Sequence, residues 1–549
     1  MNPNHPIDLA IVSTSILTGA DLAKVQGVVA IDAGRVVAVG SSDSLQELTA
    51  RARRVIDVGG ATVVPGLIDA HIHPILGGEF ARGADLSGVT TWDAARSLLA
   101  EHAATHSGDG EWVLGWGLDP AVYGTRPFSN ALFDGILDGR RAYVTFFDGH
   151  AAVVSAAGLA AAGLSGARDL PGSSRVGVDA HGRPTGMLFE SAAMNLVSRG
   201  LPERGFGERL DDLHQILTQM ASSGLVAGQM LDLGTPDALD LLEALEERAD
   251  LPIRLRISPW IMPGDTAEDV ERVIGLQGRH GRRWHVHGVK LMMDGTIDNG
   301  TAWLFEPDTQ GESRQPLWTD PLDLTSVLRR LHDLRIPTAT HAIGDRAVSF
   351  IAEAISRLPP NGTVHRIEHI ETIPDGVLDQ VVASGATTSL QPTHCALYSR
   401  ADHSDNWSQR LGTERANHAW RTGDLRRAGA VVALGSDWPI APHDPRGIIA
   451  AAQTRRPAGR PDIEPVQPQQ ALSARAALEG YTSQYWLSVG ETGGTIEAGA
   501  RADLTVFLDD PLETDPDDFS SSPVLLTVVD GEIVVDNLAA VLTQGATTP

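Results

Sequence analysis

Lysine is nearly missing from this sequence. Lys24 and Lys290 are the only two among 43 basic residues, and every other one is arginine. A chain so biased accepts arginine wherever the task is only to carry positive charge. A retained lysine therefore asks for a chemical reason. A shielded lysine can lose its proton and act as a nucleophile toward a carbonyl or carbon dioxide, which a guanidinium cannot do. Lys290 sits at the end of the apolar run His285-Val-His-Gly-Val-Lys-Leu-Met-Met, whereas Lys24 lies in a polar turn. Chance placement is the competing reading. Cysteine is scarcer still: Cys395 stands alone, which excludes an intrachain disulfide and fits a reducing cytoplasm. No stretch approaches the roughly 18 unbroken apolar residues of a membrane helix. Residues 1–20 lack the basic start and apolar run of a signal peptide. Positive charge is outnumbered, with 43 Lys and Arg against 70 Asp and Glu for a formal net charge of −27. That balance argues against nucleic acid and anionic membrane as partners. What is present is a globular composition, 42% hydrophobic and 21% charged, sufficient for a large core. The expectation is a soluble, cytoplasmic protein.

Both ends of the chain read as short strands and turns. Residues 7–12, 27–32 and 35–40 are matched in style by 502–508, 524–529 and 532–535. The spacing predicts a small β-sandwich domain built from 1–60 and 490–549, with the long middle inserted between them. That middle, 61–489, alternates apolar strands with helical stretches, the sign of a parallel α/β fold. Strands are predicted over 62–72, 225–231, 253–260, 286–292, 337–342, 365–370, 386–391 and 430–437, with helices over 324–334, 346–358 and 375–383. Eight strand–helix units predict a closed (β/α)8 TIM-type barrel. The gap after the first strand is too long for one helix, so an insertion over about residues 75–210 is expected on the loop side of the barrel.

Groups able to bind metal fall at the C-terminal ends of these strands. The first ends Pro65-Gly-Leu-Ile-Asp-Ala-His71-Ile-His73-Pro, and residues two apart share a strand face, so both imidazoles can reach one ion. The fourth strand carries Lys290, the fifth ends Thr340-His341-Ala-Ile-Gly-Asp345, the sixth ends Arg366-Ile-Glu-His369, and the eighth ends Leu434-Gly-Ser-Asp437-Trp-Pro. A lone strand-end histidine is commonly a hydrogen-bonded core residue, and Asp437 by itself reads equally as a helix cap. The ordered set His-x-His, Lys, His, His, Asp is what points to a metal centre.

The stretches Val64-Pro-Gly-Leu-Ile-Asp-Ala-His-Ile-His-Pro, Gly288-Val-Lys-Leu-Met-Met-Asp-Gly, Thr340-His-Ala-Ile-Gly-Asp-Arg-Ala-Val, Arg366-Ile-Glu-His, Gly435-Ser-Asp-Trp-Pro-Ile and Gly494-Thr-Ile-Glu-Ala-Gly-Ala-Arg-Ala-Asp-Leu resemble the amidohydrolase superfamily. Within it the chain resembles the amidohydrolase-3 or YtcJ-like group, which includes N-substituted formamide deformylases. The likeness runs over nearly the whole chain. One departure is Asp298-Asn299-Gly300, where relatives tend to carry small residues and a basic one.

The resemblance implies two divalent ions, zinc by preference. His71 and His73 would hold the first together with Asp437, and His341 and His369 the second. Lys290 would bridge them as a carbamate formed with carbon dioxide. An ammonium repels cations, whereas a carbamylated lysine is an anionic, bidentate oxygen donor. A metal-bound hydroxide would then attack a small-molecule carbonyl, with Asp437 as general acid and base. The expected reaction is hydrolysis of the C–N bond of an N-substituted amide, formamide or carbamate, by a homodimer.

Alternatives are a cyclic-amide, lactone or ester hydrolase, or a deaminase, on the same scaffold. A more remote one is a metal-binding protein without turnover. Further pocket candidates carry structural readings beside functional ones. His150, in Asp148-Gly-His, contacts substrate or closes a turn. Glu190 matches a family position. Of His394 and Cys395, adjacent in the chain, at most one can line the pocket. Trp112, Trp116, Trp303 and Trp438 form an apolar wall or simply pack.

Overall fold

Residues 62–72, which read as one strand, form two, with Gly66 as the joint. Thr62–Pro65 pairs antiparallel with Leu504–Phe507 and parallel with Ile7–Thr18, while Leu67–Ile72 pairs parallel with Leu225–Met230. A Cβ at position 66 would lie 2.6 Å from the Val226 side chain and 2.9 Å from the backbone of Asp503. Only glycine lets the terminal sheet and the parallel sheets come this close. The structure is a computed structural model that describes residues 6–41, 44–105 and 112–545.

Strands from both chain ends share one sheet of eight strands, where a sandwich of two sheets was expected. The reason lies in the length of Ile7–Thr18. It pairs with Ala52–Asp57 along its first half and with Thr62–Pro65 near its end, while its other edge pairs antiparallel with Ala23–Asp32. The hydrogen bonds therefore continue without a break, and Ile11, Val29, Leu504 and Leu526 bury into one core.

The parallel strands form two sheets rather than the closed eight-stranded ladder expected. The four-stranded sheet runs Trp284–Val286, Arg254–Ile257, Leu225–Met230, Leu67–Ile72. The six-stranded one runs Trp260–Ile261, Val289–Met292, Thr338–Ala342, Arg366–His369, Thr387–Leu390, Val432–Leu434. Two of the expected strands are broken, at Ser258-Pro259 and His287-Gly288. Pro259 has no N–H to donate, and Gly288 adopts a φ of 111°. Single bonds cross the breaks, from His287 N to Ile257 O and from Lys290 N to Pro259 O, each 2.9 Å. At the other seam Ile72 and Trp438 form an isolated parallel bridge. The arrangement is an α/β domain of the TIM-barrel type without a continuous ladder.

Helices cover the parallel sheets with one apolar face each. Asp345–Ser356 buries Ala347, Val348, Ile351, Ala352 and Ile355, a helical repeat of apolar positions. Pro321–Asp333 starts on a proline, with Asp320 accepting from Leu322 N at 2.9 Å. Asp375–Ser384 is the third predicted helix. Between Ile72 and Leu225 the expected insertion forms its own six-stranded sheet, with Leu99, Tyr123 and Phe146 in its core. Among the described residues no helix is long and apolar enough to cross a membrane.

Gly66→Ala is expected to destabilise the protein by about 1–3 kcal/mol through overpacking. Urea unfolding checks this, and an unchanged midpoint would mean the joint relaxes without cost.

Candidate metal centre

Asp437 and the His71/His73 pair meet because the last parallel strand is tied to the first. Asp69 accepts from His71 N and from Ser436 N, both at 3.0 Å. Asp437 N donates to His71 O at 2.8 Å, and His73 N to Trp438 O at 2.9 Å. Gly435 is required at this seam, since a Cβ would sit 2.8 Å from both Asp69 Oδ1 and His71 N. Asp437 itself takes a φ of 58° and His369 one of 73°, unusual for non-glycine residues. The outcome is that His71 Nε2 and His73 Nε2 each lie 3.2 Å from Asp437 Oδ1. Lys290 Nζ is 3.3 Å from His71 Nε2.

The other ring nitrogens are held from behind. His71 Nδ1 is 2.9 Å from Glu368 Oε2, His73 Nδ1 is 2.6 Å from Asp232 Oδ2, and His369 Nδ1 is 2.9 Å from Gln391 Oε1. A carboxylate or amide oxygen at Nδ1 fixes the N–H there and leaves Nε2 as a lone-pair donor, the usual setting of a metal-bound histidine. Arg366 backs Glu368 at 2.5 Å and also donates to Ala70 O at 2.9 Å.

The electrostatics show a site short of positive charge. Burial, and then the Lys290 charge, hold His71 well below its ordinary pKa. Burial does the same to His341 and His369. Burial would also lower His73, yet the bonds to Asp232 and Asp437 outweigh it and raise it to about 9. Against its own burial, Asp437 is kept well below the carboxylate range by His71 and His73. A proton on His73 thus fills a place that suits a cation. Ligand atoms of His71, His73 and Asp437 all lie within 4.8 Å of one another, as do those of His369, His394 and Asp437. Imidazole and carboxylate in such sets suit a divalent metal ion.

The amidohydrolase family model matches residues 54–535. The chain belongs to the amidohydrolase family. This amidohydrolase is 27% identical to a putative amidohydrolase, YtcJ, of Bacillus subtilis over 518 residues, 92% of this chain and 95% of the relative. It is 24% identical to the N-substituted formamide deformylase of Arthrobacter pascens over 566 residues, 95% and 97% of the two chains. A metal-dependent hydrolase from Pyrococcus horikoshii shares the fold with a TM-score of 0.71 at 23% identity, over 92% of this chain and 99% of that one. The protein is an enzyme of the class that hydrolyses carbon–nitrogen bonds.

The amidohydrolase opens a cavity of about 620 Å³ over the centre, bordered by His71, His73, Lys290, His341, His369 and Asp437. Leu76, Phe80, Tyr143, Met194, Trp260 and Ile440 supply apolar wall. His150 also borders it and carries Glu190 behind its ring, Nδ1 to Oε2 at 2.8 Å. Glu190 is 2% exposed and reaches the cavity only through His150. His341 stands beside His369, the two rings 4.4 Å apart, with its Nε2 3.2 Å from Gly295 O. His394 instead groups with His369 and borders a smaller cavity of about 40 Å³. Its neighbour Cys395 packs in an apolar cluster with Trp407, where burial pushes the thiol up to about 11.

Of the two readings of the tryptophans, an apolar wall or simple packing, the second describes Trp303. Its ring lies tilted against Phe350 at 5.5 Å with the Arg346 guanidinium 4.7 Å above it, facing a helix rather than the cavity. Trp112, Trp116 and Trp438 do not border the cavity either; Trp260 does. At Asp298-Asn299-Gly300 the missing side chain of Gly300 leaves room for the Arg410 guanidinium, which pairs with Asp308 and Glu312. A basic group is therefore still present at that place, supplied from another part of the chain. Sequence reasoning missed Asp69, Asp232, Glu368 and Gln391 as supports. Asp69 was within reach of it, since alternation places it on the His71 and His73 face.

In the metal-free protein, a His73 pKa raised above its ordinary 6.5 contributes stability that is full below 6.5 and lost as pH climbs through about 9. Thermal unfolding of chelator-treated protein across that window is expected to show the loss, and Asp232→Asn is expected to flatten it. Parallel profiles for the two proteins would remove Asp232 as the cause.

Proposed function

We propose that this enzyme cleaves the C–N bond of an N-substituted amide, formamide or carbamate at a two-metal centre. The convergence of His71, His73 and Asp437, with Lys290 Nζ 3.3 Å from His71, carries the reading. His71, His73 and Asp437 would hold the first ion, and His341 and His369 the second. The placing of His394 with His369 and Asp437 favours His394 as an alternative to His341. The imidazole-rich donor set supports zinc. Lys290 would supply an anionic pair of oxygens to the centre as a carbamate: its neutral amine forms a bond to the carbon of carbon dioxide and releases a proton. Burial lowers Lys290 to about 8, which brings that neutral amine within physiological reach.

A divalent centre held by these residues would supply a more acidic water and a Lewis acid for the carbonyl. Asp437 takes the proton of the attacking water and delivers it to the leaving nitrogen. His150, oriented by Glu190, donates to the carbonyl oxygen as charge builds on it. The apolar wall around Phe80 and Trp260 accepts the N-substituent. The formamide deformylase relative supports the formamide member of this substrate class. The single, buried Cys395 supports a cytoplasmic setting.

A panel of formamides, amides, carbamates and esters, run on metal-replete and chelated enzyme, tests the reading. Turnover of a C–N substrate that chelation abolishes is expected, and metal-replete protein silent on every substrate would defeat the proposal. Asp437→Asn is expected to cost about 10²–10⁴-fold in turnover. Lys290→Arg is expected to empty the centre by elemental analysis, whereas Lys24→Arg, at an exposed pair with Asp510 and Glu513, should retain the metal. Two metals and full activity in Lys290→Arg would exclude the bridging role.

A further inference from the structure

A second cavity, of about 360 Å³, lies at the opposite end of the parallel sheets. Arg254 and Trp284, on its border, are the first residues of their strands, whereas the metal-centre side chains stand at strand ends. Its border is made of different residues from that of the catalytic cavity. Five arginines line it in a chain of net charge −27. Four are matched by carboxylates: Arg254 by Asp503, Arg282 by Asp250, Arg283 by Glu532 and Arg501 by Asp530.

Arg256 is different. It is 6% exposed, and its Nη1 donates to Glu491 Oε1 at 2.7 Å. Its Nε and Nη2 have no acceptor among the described residues. Nε–H and the adjacent Nη2–H point the same way and form the side-on fork that matches the two oxygens of a carboxylate. Buried donors left unpaired are costly, so the fork calls for an acceptor. Glu491 is 48% exposed and engages only the other edge of the guanidinium. Tyr485 and Trp486 supply flat apolar surface. Burial and the Arg256 charge hold His285, also on the border, down to about 4, so it stays neutral and adds no second cation.

We infer that this cavity binds a small carboxylate carrying a flat apolar body, gripped by the Nε–Nη2 edge of Arg256. The site is separate from the hydrolytic centre and does not depend on which substrate that centre takes.

Calorimetric titration of the metal-replete enzyme with benzoate, its neutral counterpart benzamide and inorganic phosphate tests the inference. Saturable binding of benzoate is expected, with benzamide and phosphate each weaker. Arg256→Gln is expected to weaken benzoate by roughly 10–100-fold, as for loss of a charge-assisted pair of hydrogen bonds, while metal content and hydrolysis stay as in wild type. Glu491→Gln should tighten it by removing a competing anion, and this variant carries the test if Arg256→Gln does not fold. Absence of benzoate binding, phosphate binding tighter than benzoate, or equal affinity in Arg256→Gln would overturn the inference. The last result is what benzoate held at the metal centre would give.

Discussion

The buried carboxylate of Asp69 joins the first parallel strand to the last, and the whole centre depends on that joint. Ladder hydrogen bonding is thin at this seam, with one isolated bridge between Ile72 and Trp438. Asp69 accepts from Ser436 N across it and from His71 N on its own strand. Those contacts fix the height of His71 against Asp437 and hence the distances among three ligand atoms. Burial raises the Asp69 pKa to about 7 even with these bonds in place. The joint is strong because it is dry, and it would be costly to leave unmade.

Around that joint the interior is arranged in chains of paired groups. Arg366 holds Glu368, Glu368 holds His71, and Asp232 holds His73. Each chain ends on an imidazole nitrogen aimed at the centre. In a low-dielectric interior such chains restrict rotation of every member, so the ligand atoms stay oriented whether or not an ion is present. The insertion contributes the roof, and through His150 and Glu190 it brings a further oriented imidazole to the cavity. At the far end of the strands Arg256 shows the opposite condition, a buried guanidinium with two of its three nitrogens unanswered among the described residues.

Much of the fold is legible in the order of the residues. Strand–helix alternation marks the parallel part, matched β character at the two ends marks the shared sheet, and the long gap after the first strand marks the insertion. The breaks are not legible in this way. Pro259 and Gly288 stand inside apolar runs that look continuous, and Gly66 divides a strand only because Asp503, far along the chain, packs against it. The tryptophans mislead for a related reason. Trp303 is large and near the barrel mouth in sequence, but its ring has a better partner in Phe350 and Arg346.

Residue chemistry and short spacing belong to the sequence. A His-x-His pair on a strand, a lysine retained amid arginines and an aspartate after Gly-Ser mark the groups able to bind metal, because strand alternation alone puts them on one face. Which of them meet was decided only in three dimensions. His71 finds Glu368 and Asp437 hundreds of residues away, His341 turns toward Gly295, and His394 comes to stand beside His369. Lys24 and Lys290 are identical residues, yet one pairs with surface carboxylates and the other is sealed beside His71. Burial makes that difference. It sets the pKa of each group and the partners within its reach, and burial is a property of packing among distant segments.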